Sequence, residues 1–279
     1  MGKHSKTLAL LDAVRTVLAE GQPQTLRQIH YRLVTLGVIP NTPKGYAALG
    51  EALVNARKDG SIAWDAIEDR TRLPREVSMW PDMAGFVDTV KASYRRDVWA
   101  TQPGYLEAWL EKDTLSVIVA DVLCQFGVTL QVGRGYDGWS SIRGAAQRYG
   151  DGVGVTVLYL GDHDPSGEDM QRSLQERLGF FGSCPTIVKV AITGEDVRRY
   201  NLPTMMAKPT DTRRARFVAE HGDACVELDA LPVGVLRERI QNEVKQRLDL
   251  DALQRVQVQE KADRARLSAA LVVLKNGRV

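Results

Sequence analysis

Residues 155–167 read VTVLYLGDHDPSG, and the rest of the chain is organised around them. The first six are apolar, aromatic or β-branched, which predicts a buried strand. Two carboxylates, Asp162 and Asp164, follow directly, and acids at the end of a buried strand are costly unless a cation holds them. Their hard oxygen atoms suit Mg²⁺. Taken alone, however, an Asp-x-Asp pair is more often a polar turn that caps a strand.

Three other segments change that balance. Residues 105–110 form a second apolar run that ends at Glu111, and residues 129–132 and 186–192 are further predicted strands. Helical spacing separates the four strands, which predicts an α/β fold with a mostly parallel sheet flanked by helices. Because ligands bind at the carboxyl ends of such strands, Glu111 and the two aspartates are expected to converge there.

The composition is that of an ordinary globular chain of 279 residues, with 44% hydrophobic and 26% charged residues. The net charge of +2 gives no strong basic field, although a local patch for nucleic acid stays possible. Three widely spaced cysteines favour neither a zinc site nor a disulfide framework. The first 21 residues are interrupted by Asp12, Arg15 and Glu20, which favours an amphipathic helix over a signal peptide. No stretch is long and apolar enough to cross a membrane, so we expect a cytoplasmic protein.

The sequence predicts a helical first domain over residues 1–95. Three predicted helices and a short β segment at residues 61–64 together resemble a winged helix-turn-helix domain. Its third helix carries Lys44, Arg57 and Lys58, which would face DNA. A solvated helix face explains these charges equally well.

A tyrosine and an arginine share one face of the second predicted helix, TLRQIHYRLVTLG, in which Thr25 is the expected N-cap. Tyr31 lies roughly 140° around the helix from Leu26, at 3.6 residues per turn. Arg27 is four residues before Tyr31, so both project from the same face, which we expect to be exposed. Such a pair can meet a phosphate, although an ordinary amphipathic tyrosine is the commoner case. The apolar stripe on the other face consists of Leu26, Ile29, Leu33 and Leu36.

Several of these motifs resemble a known family. Glu111 after one strand, and DHDPSG at residues 162–167 after a later one, look like the Toprim domain, the metal-binding fold of topoisomerases, bacterial primases and some nucleases. TLRQIHYRLV resembles the catalytic-tyrosine helix of the topoisomerase VI A subunit and the related meiotic break-forming transesterase. GRGYDGWSSIR resembles that family's Gly-Tyr-Pro loop, with Asp137 in place of the proline. The likeness covers about residues 20–240, in the same domain order.

The resemblance implies a Toprim domain over residues 100–235, followed by a helical tail at residues 236–279. It implies that Tyr31 attacks DNA to form a 5′-phosphotyrosyl bond, and that Arg27 offsets charge on the phosphorane. Mg²⁺ would be held by Glu111, Asp162 and Asp164.

Further DNA contacts are expected from Lys112 and Arg134, although a lysine beside a glutamate is more often a surface pair. Because each protomer would cut one strand, a homodimer is expected. The chain has no GHKL-type ATPase signature, so a separate ATPase subunit is a possible partner, and a nucleoid location would follow. One alternative is a Toprim nuclease that hydrolyses DNA or RNA with Tyr31 structural. Another is a non-catalytic winged-helix DNA-binding protein. Glu227 and Asp229 form either a further acidic site or the start of a helix.

Overall fold

The computed structural model of the protein describes residues 2–68, 77–133 and 138–275. The first part of the chain forms a small helical core around residues that include Val14, Ile29, Leu33 and Leu49. Thr25 is the expected N-cap, and it forms a capping box with Gln28. The elements of this part are α1 (Gly2–Glu20), β1 (Gln24–Thr25), α2 (Leu26–Thr35), α3 (Pro43–Lys58), β2 (Ile67–Glu68) and α4 (Met83–Ser93).

The predicted strand at residues 61–64 is wrong. Trp64–Ala66 instead forms a 3-10 turn, and only the two residues of β2 pair, in parallel, with β1. Residues 69–76, which follow β2, lie outside the described ranges. A wing is a hairpin that follows the third helix, so the winged-helix interpretation stays a prediction.

The second part of the chain is built on a four-stranded parallel sheet in the order β4-β3-β5-β6. Helices flank the sheet, so the predicted α/β class and parallel sheet are confirmed. The elements from β3 to β6 are β3 (Tyr105–Leu110), α5 (Ser116–Cys124), β4 (Thr129–Val132), α6 (Trp139–Tyr149), β5 (Val155–Leu160), α7 (Pro165–Phe180) and β6 (Thr186–Ala191).

Alternation along the strands gives the sheet two different faces. Leu106, Ala108 and Leu158 point to one face and pack in a core that includes α5. Trp109 and Val157 point to the other and pack with α6 and α7. Helices therefore cover both faces, and the central strands read as nearly continuous apolar runs.

The strand order creates a crevice between β3 and β5. The chain leaves β3 for its outer neighbour β4, and leaves β5 for its outer neighbour β6 on the opposite side. This reversal is a topological switch point, where the loops that follow the strands diverge and leave room for a ligand. Glu111 and Asp162 lie at this point.

The last elements close the fold against the sheet and against the first part of the chain. They are α8 (Gly194–Arg199), β7 (Met205–Met206), α9 (Arg214–His221), β8 (Ala224–Cys225), α10 (Val233–Lys245) and α11 (Leu250–Lys275). The helix α10 packs against α5, and α11 packs against α4. Among the described residues, no helix combines the length and the apolar character that crossing a bilayer demands.

Candidate active site

The turn after β5 is shaped by its own side chains. Asp164 is the N-cap of α7, and its Oδ1 accepts the Gly167 amide hydrogen bond at 2.7 Å. Pro165 occupies the first turn of that helix, where a backbone N–H would have no partner within the helix, so proline breaks no hydrogen bond. A Cβ on Gly167 would lie only 2.3 Å from the Asp162 carbonyl oxygen, so the turn requires glycine at this position.

Two of the three predicted carboxylates lie together. The Oε2 atom of Glu111 accepts a hydrogen bond from the Asp162 amide at 2.8 Å. Burial, and then the charge of Asp162, raise the pKa of Glu111 to about 7. The Glu111 carboxylate therefore lies against the backbone of Asp162, in surroundings that disfavour its charged form.

Asp162 is held on both sides. Its Oδ1 accepts the Leu228 amide at 2.8 Å, and its Oδ2 lies 2.5 Å from the Lys112 ammonium. Lys112 is therefore not an ordinary surface pair with its neighbouring glutamate but part of the acidic site. In this arrangement no three His, Cys, Asp or Glu side chains of the described ranges form a group that could hold a metal.

A distant segment brings two more acids to the same edge. His163 and Val226 form an isolated antiparallel bridge, with two backbone hydrogen bonds of 2.9 Å. The bridge is followed by Glu227 and by the 3-10 turn Leu228–Ala230, which contains Asp229. Glu227 and Asp229 therefore lie at the start of a short helical turn, as one interpretation predicts. They also contact cationic side chains of the site, as the other interpretation predicts.

The two added acids connect the sheet to α2. Glu227 Oε2 lies 3.2 Å from Lys112 Nζ and also accepts a hydrogen bond from Arg27 Nη2. Asp229 is 2% exposed, and its Oδ2 is 3.5 Å from Arg27 Nε. Burial raises the pKa of Asp229, while Lys112 and Arg27 oppose that rise. We refer to Arg27, Lys112, Asp162, Glu227 and Asp229 as the ionic cluster.

Tyr31 lies beside this cluster, but the expectation that it is exposed is wrong. The side chain is 8% exposed, because α2 packs its second face against the 3-10 turn Leu228–Ala230. The Arg27 guanidinium lies 5.7 Å from the Tyr31 ring centroid, as expected for residues four apart on one helix. Burial raises the pKa of Tyr31, Arg27 lowers it, and Asp229 and Asp162 raise it further.

A groove of about 350 Å³ opens beside Tyr31. Arg27 and Tyr46 from the first part of the chain line it, and Met205 lines it from the second. The Tyr31 ring is thus buried on the side of the sheet and borders a surface groove on the other.

The other predicted DNA contacts lie apart from the ionic cluster or outside the described residues. Lys44 and Lys58 are exposed on α3. Arg57 is half-buried and stacks on the Trp64 ring at 4.7 Å. Arg134 belongs to residues 134–137, which lie outside the described ranges, as does Asp137 of the glycine-rich loop.

The sequence did not indicate a charged network that holds the loop carrying Asp162 and Asp164. Glu168 lies 3.1 Å from His163 Nδ1 and forms an ion pair with Lys189. Lys189 also donates to the Asp162 carbonyl oxygen at 3.3 Å. Although burial alone raises it, the His163 hydrogen bond and the Lys189 charge lower the pKa of Glu168 to about 2. A charged network thus fixes the loop that carries both aspartates.

Compared with protein-family models and with curated proteins, the chain gives no match. The chemistry available to the site follows from its side chains. Carboxylates that suit a hard cation lie at the carboxyl edge of the sheet, where Lys112 contacts Asp162. Arg27 connects this edge to Tyr31 on α2.

Proposed function

We propose that the protein is a Mg²⁺-dependent DNA-cleaving and rejoining transesterase, of the type of the type IIB topoisomerase A subunit. One observation carries this proposal. Arg27, whose guanidinium lies over the Tyr31 ring, also contacts Glu227 and Asp229 at the carboxyl edge of the sheet. Arg27 therefore links the candidate nucleophile to the acids at that edge, which supports the proposal of a shared site.

In the proposed reaction Tyr31 Oη attacks the phosphorus of a DNA phosphodiester and loses its proton. The phosphorus–oxygen bond to the 3′-oxygen breaks, and that oxygen takes up a proton to become a free 3′-hydroxyl. The 5′-phosphate stays on the tyrosine, so the reverse attack reseals the strand. Arg27 is placed to offset the negative charge that gathers on the phosphorane.

Glu111, Asp162 and Asp164 would hold Mg²⁺ in this proposal. All three are carboxylates, whose hard oxygen atoms are the donors that Mg²⁺ prefers. In the described arrangement they do not form a three-ligand group, so metal binding would require their side chains to turn toward the ion. The Lys112 ammonium already neutralises Asp162, at 2.5 Å. When bound, the ion would supply Lewis-acid stabilisation of the phosphate.

The wider setting is also proposed. The first part of the chain would bind DNA as a winged-helix domain, through Lys44, Arg57 and Lys58 on α3. Two copies would be needed to cut both strands of a duplex, which favours a homodimer. A GHKL-type ATPase subunit and a nucleoid location belong to the same proposal.

A second candidate is a metal-dependent nuclease in which water attacks the phosphate. The low exposure of Tyr31, at 8%, and its raised pKa favour this alternative, because a buried neutral phenol is a poor nucleophile. Tyr31 would then serve only to pack α2 against the sheet domain.

Cleavage of supercoiled DNA in Mg²⁺ separates the two candidates. The reaction is stopped with detergent, and each sample is run with and without protease. We expect DNA trapped on wild-type protein, and no trapped DNA with Tyr31→Phe or Asp162→Ala. Tyr46→Phe, which removes a hydroxyl from the same groove, is the matched control and should retain trapping.

Other results decide against the proposal. Free nicks that survive Tyr31→Phe but vanish in Asp162→Ala would mean a hydrolytic nuclease. DNA binding without cleavage, with and without candidate ATPase subunits, would mean a non-catalytic DNA-binding protein.

A further inference from the structure

Two cations from different parts of the chain meet at one carboxylate oxygen. Arg27 Nη2 from α2 and Lys112 Nζ from the loop after β3 both contact Glu227 Oε2, the second at 3.2 Å. Bracketing of a single anionic oxygen by a guanidinium and an ammonium is the usual arrangement around a phosphate. The bracketed position also lies between Tyr31, beside Arg27, and Asp162, beside Lys112.

The three acids of the ionic cluster differ in how firmly they are held. The side chains of Asp162 and Asp229 are 6% and 0% exposed, and the Leu228 amide fixes Asp162. The Glu227 side chain is 18% exposed, and the contacts of its carboxylate are to the two cations. Arg27 and Lys112 are themselves 36% and 23% exposed, so part of each cationic side chain faces solvent. Glu227 is therefore the acid of this cluster that can leave.

Each of the two cations keeps an acidic partner when Glu227 moves away. Arg27 keeps Asp229 at 3.5 Å, and Lys112 keeps Asp162 at 2.5 Å. Both cations stay oriented by buried acids while their outer side becomes free for another anion. An outside anion that takes the place of Glu227 restores the charge balance at the two cations.

We propose that Arg27 and Lys112 form a single subsite for a DNA backbone phosphate, and that Glu227 occupies this subsite until the phosphate displaces it. The inference rests on the proposed function, because it takes a nucleic-acid phosphodiester as the ligand. Glu227 is an internal competitor, so the affinity for DNA is lowered by the fraction of molecules in which it holds the cations. A purely structural ion pair between α2 and the sheet domain would have no such effect.

Binding of a labelled DNA duplex to the full chain, measured by fluorescence anisotropy without Mg²⁺, tests the inference without cleavage. Glu227→Gln keeps the side-chain size and removes the competing charge, so we expect DNA to bind about tenfold more tightly. The matched control is Glu176→Gln, which also removes one negative charge from an arginine-paired glutamate, on the exposed side of α7. Its effect should stay within about twofold, the size expected for a change in net charge remote from the DNA.

Two more variants distinguish competition by the Glu227 carboxylate from a general effect of net charge and from misfolding of the variant. Glu227→Asp keeps the charge but is too short to reach both cations, so it should also bind DNA more tightly than wild type. It covers the case in which Glu227→Gln does not fold, which thermal melting reveals. The double variant Glu227→Gln with Arg27→Gln should lose the gain, because the subsite itself is then incomplete.

The outcomes also separate this inference from the proposed function. If wild-type protein traps DNA on Tyr31 but neither Glu227 variant binds DNA more tightly than the Glu176→Gln control, the internal competitor is refuted and the transesterase stands. If the Glu227 variants bind more tightly but no variant or wild type traps DNA, the subsite stands and the transesterase falls. If no form of the protein binds DNA, both are refuted.

Discussion

Replacement of Glu168 by glutamine tests how firmly the aspartate-bearing turn is braced. The Glu168 carboxylate takes a hydrogen bond from His163 and an ion pair from Lys189, whose side chain is only 13% exposed. The amide of glutamine keeps the size of the side chain but removes the charge. Lys189 is then left half-buried beside the Asp162 carbonyl oxygen without its counter-ion, and we expect a lower free energy of unfolding.

The magnitude follows from the pKa. A fall in the pKa of Glu168 from its ordinary 4.5 to about 2 corresponds to roughly 3 kcal/mol, at about 1.4 kcal/mol for each tenfold change. Because the folded-state pKa is depressed, this stability is fully present above pH 4.5 and is lost as the pH falls toward 2. We therefore expect Glu168→Gln to cost about 2–3 kcal/mol at pH 7, and about half as much at pH 3.

Urea denaturation of wild type and variant at pH 7 and pH 3, followed by circular dichroism, measures both values. The control is Glu176→Gln on the same helix, where the glutamate is 61% exposed and pairs with Arg172. This control should change the free energy of unfolding by less than about 1 kcal/mol at either pH. A cost at pH 7 no greater than that of the control, or one that does not shrink at pH 3, would refute the reasoning.

Two further substitutions test local packing by the same denaturation. Gly167→Ala brings a Cβ within 2.3 Å of the Asp162 carbonyl oxygen and should cost about 1–3 kcal/mol, whereas Gly179→Ala, in open space on the same helix, should stabilise by up to about 1 kcal/mol. Equal effects of the two alanines would contradict this account. Asp196→Asn breaks the pair of contacts with Arg239, at 2.6 and 2.8 Å, and should cost about 3 kcal/mol because the aspartate is 2% exposed. A cost below about 1 kcal/mol would show that Arg239 finds another partner.

The sheet could be predicted because its information is local. The strands β3, β4 and β5 are found where the apolar runs place them, and β6 ends one residue before the predicted end. A strand covered by helices on both faces needs a continuous apolar stretch, which is visible in a single segment. The strands β1 and β2 pair over only two residues and have no apolar stretch of this kind. Their pairing depends on contacts between segments that are distant in the sequence. For this reason the predicted strand at residues 61–64 differs from the observed β2, which lies three residues beyond it at Ile67–Glu68.

The burial of Tyr31 shows a limit of helical periodicity. The spacing in α2 correctly identifies Ile29 and Leu33, which are fully buried in the first part of the chain, whereas Leu36, at the end of the predicted stripe, is 47% exposed. It gives no sign that the opposite face is also covered, because the covering turn, Leu228–Ala230, is about 200 residues further along the chain. One stripe on a helix predicts one contact surface, and a second contact made with mixed polar residues leaves no periodic pattern.

For the same reason, the sequence does not establish that Glu227 and Asp229 join the site. Glu111, Asp162 and Asp164 each follow a strand directly, so the parallel topology alone brings the first two together. Glu227 and Asp229 arrive through the bridge between His163 and Val226, a single pair of backbone hydrogen bonds without a sequence signature. The sequence does indicate two cations, Arg27 and Lys112, in segments that are predicted to contact phosphate. Cations that are partly buried in a folded protein need an anion, and in this chain Glu227 provides one where the substrate phosphate is proposed to bind.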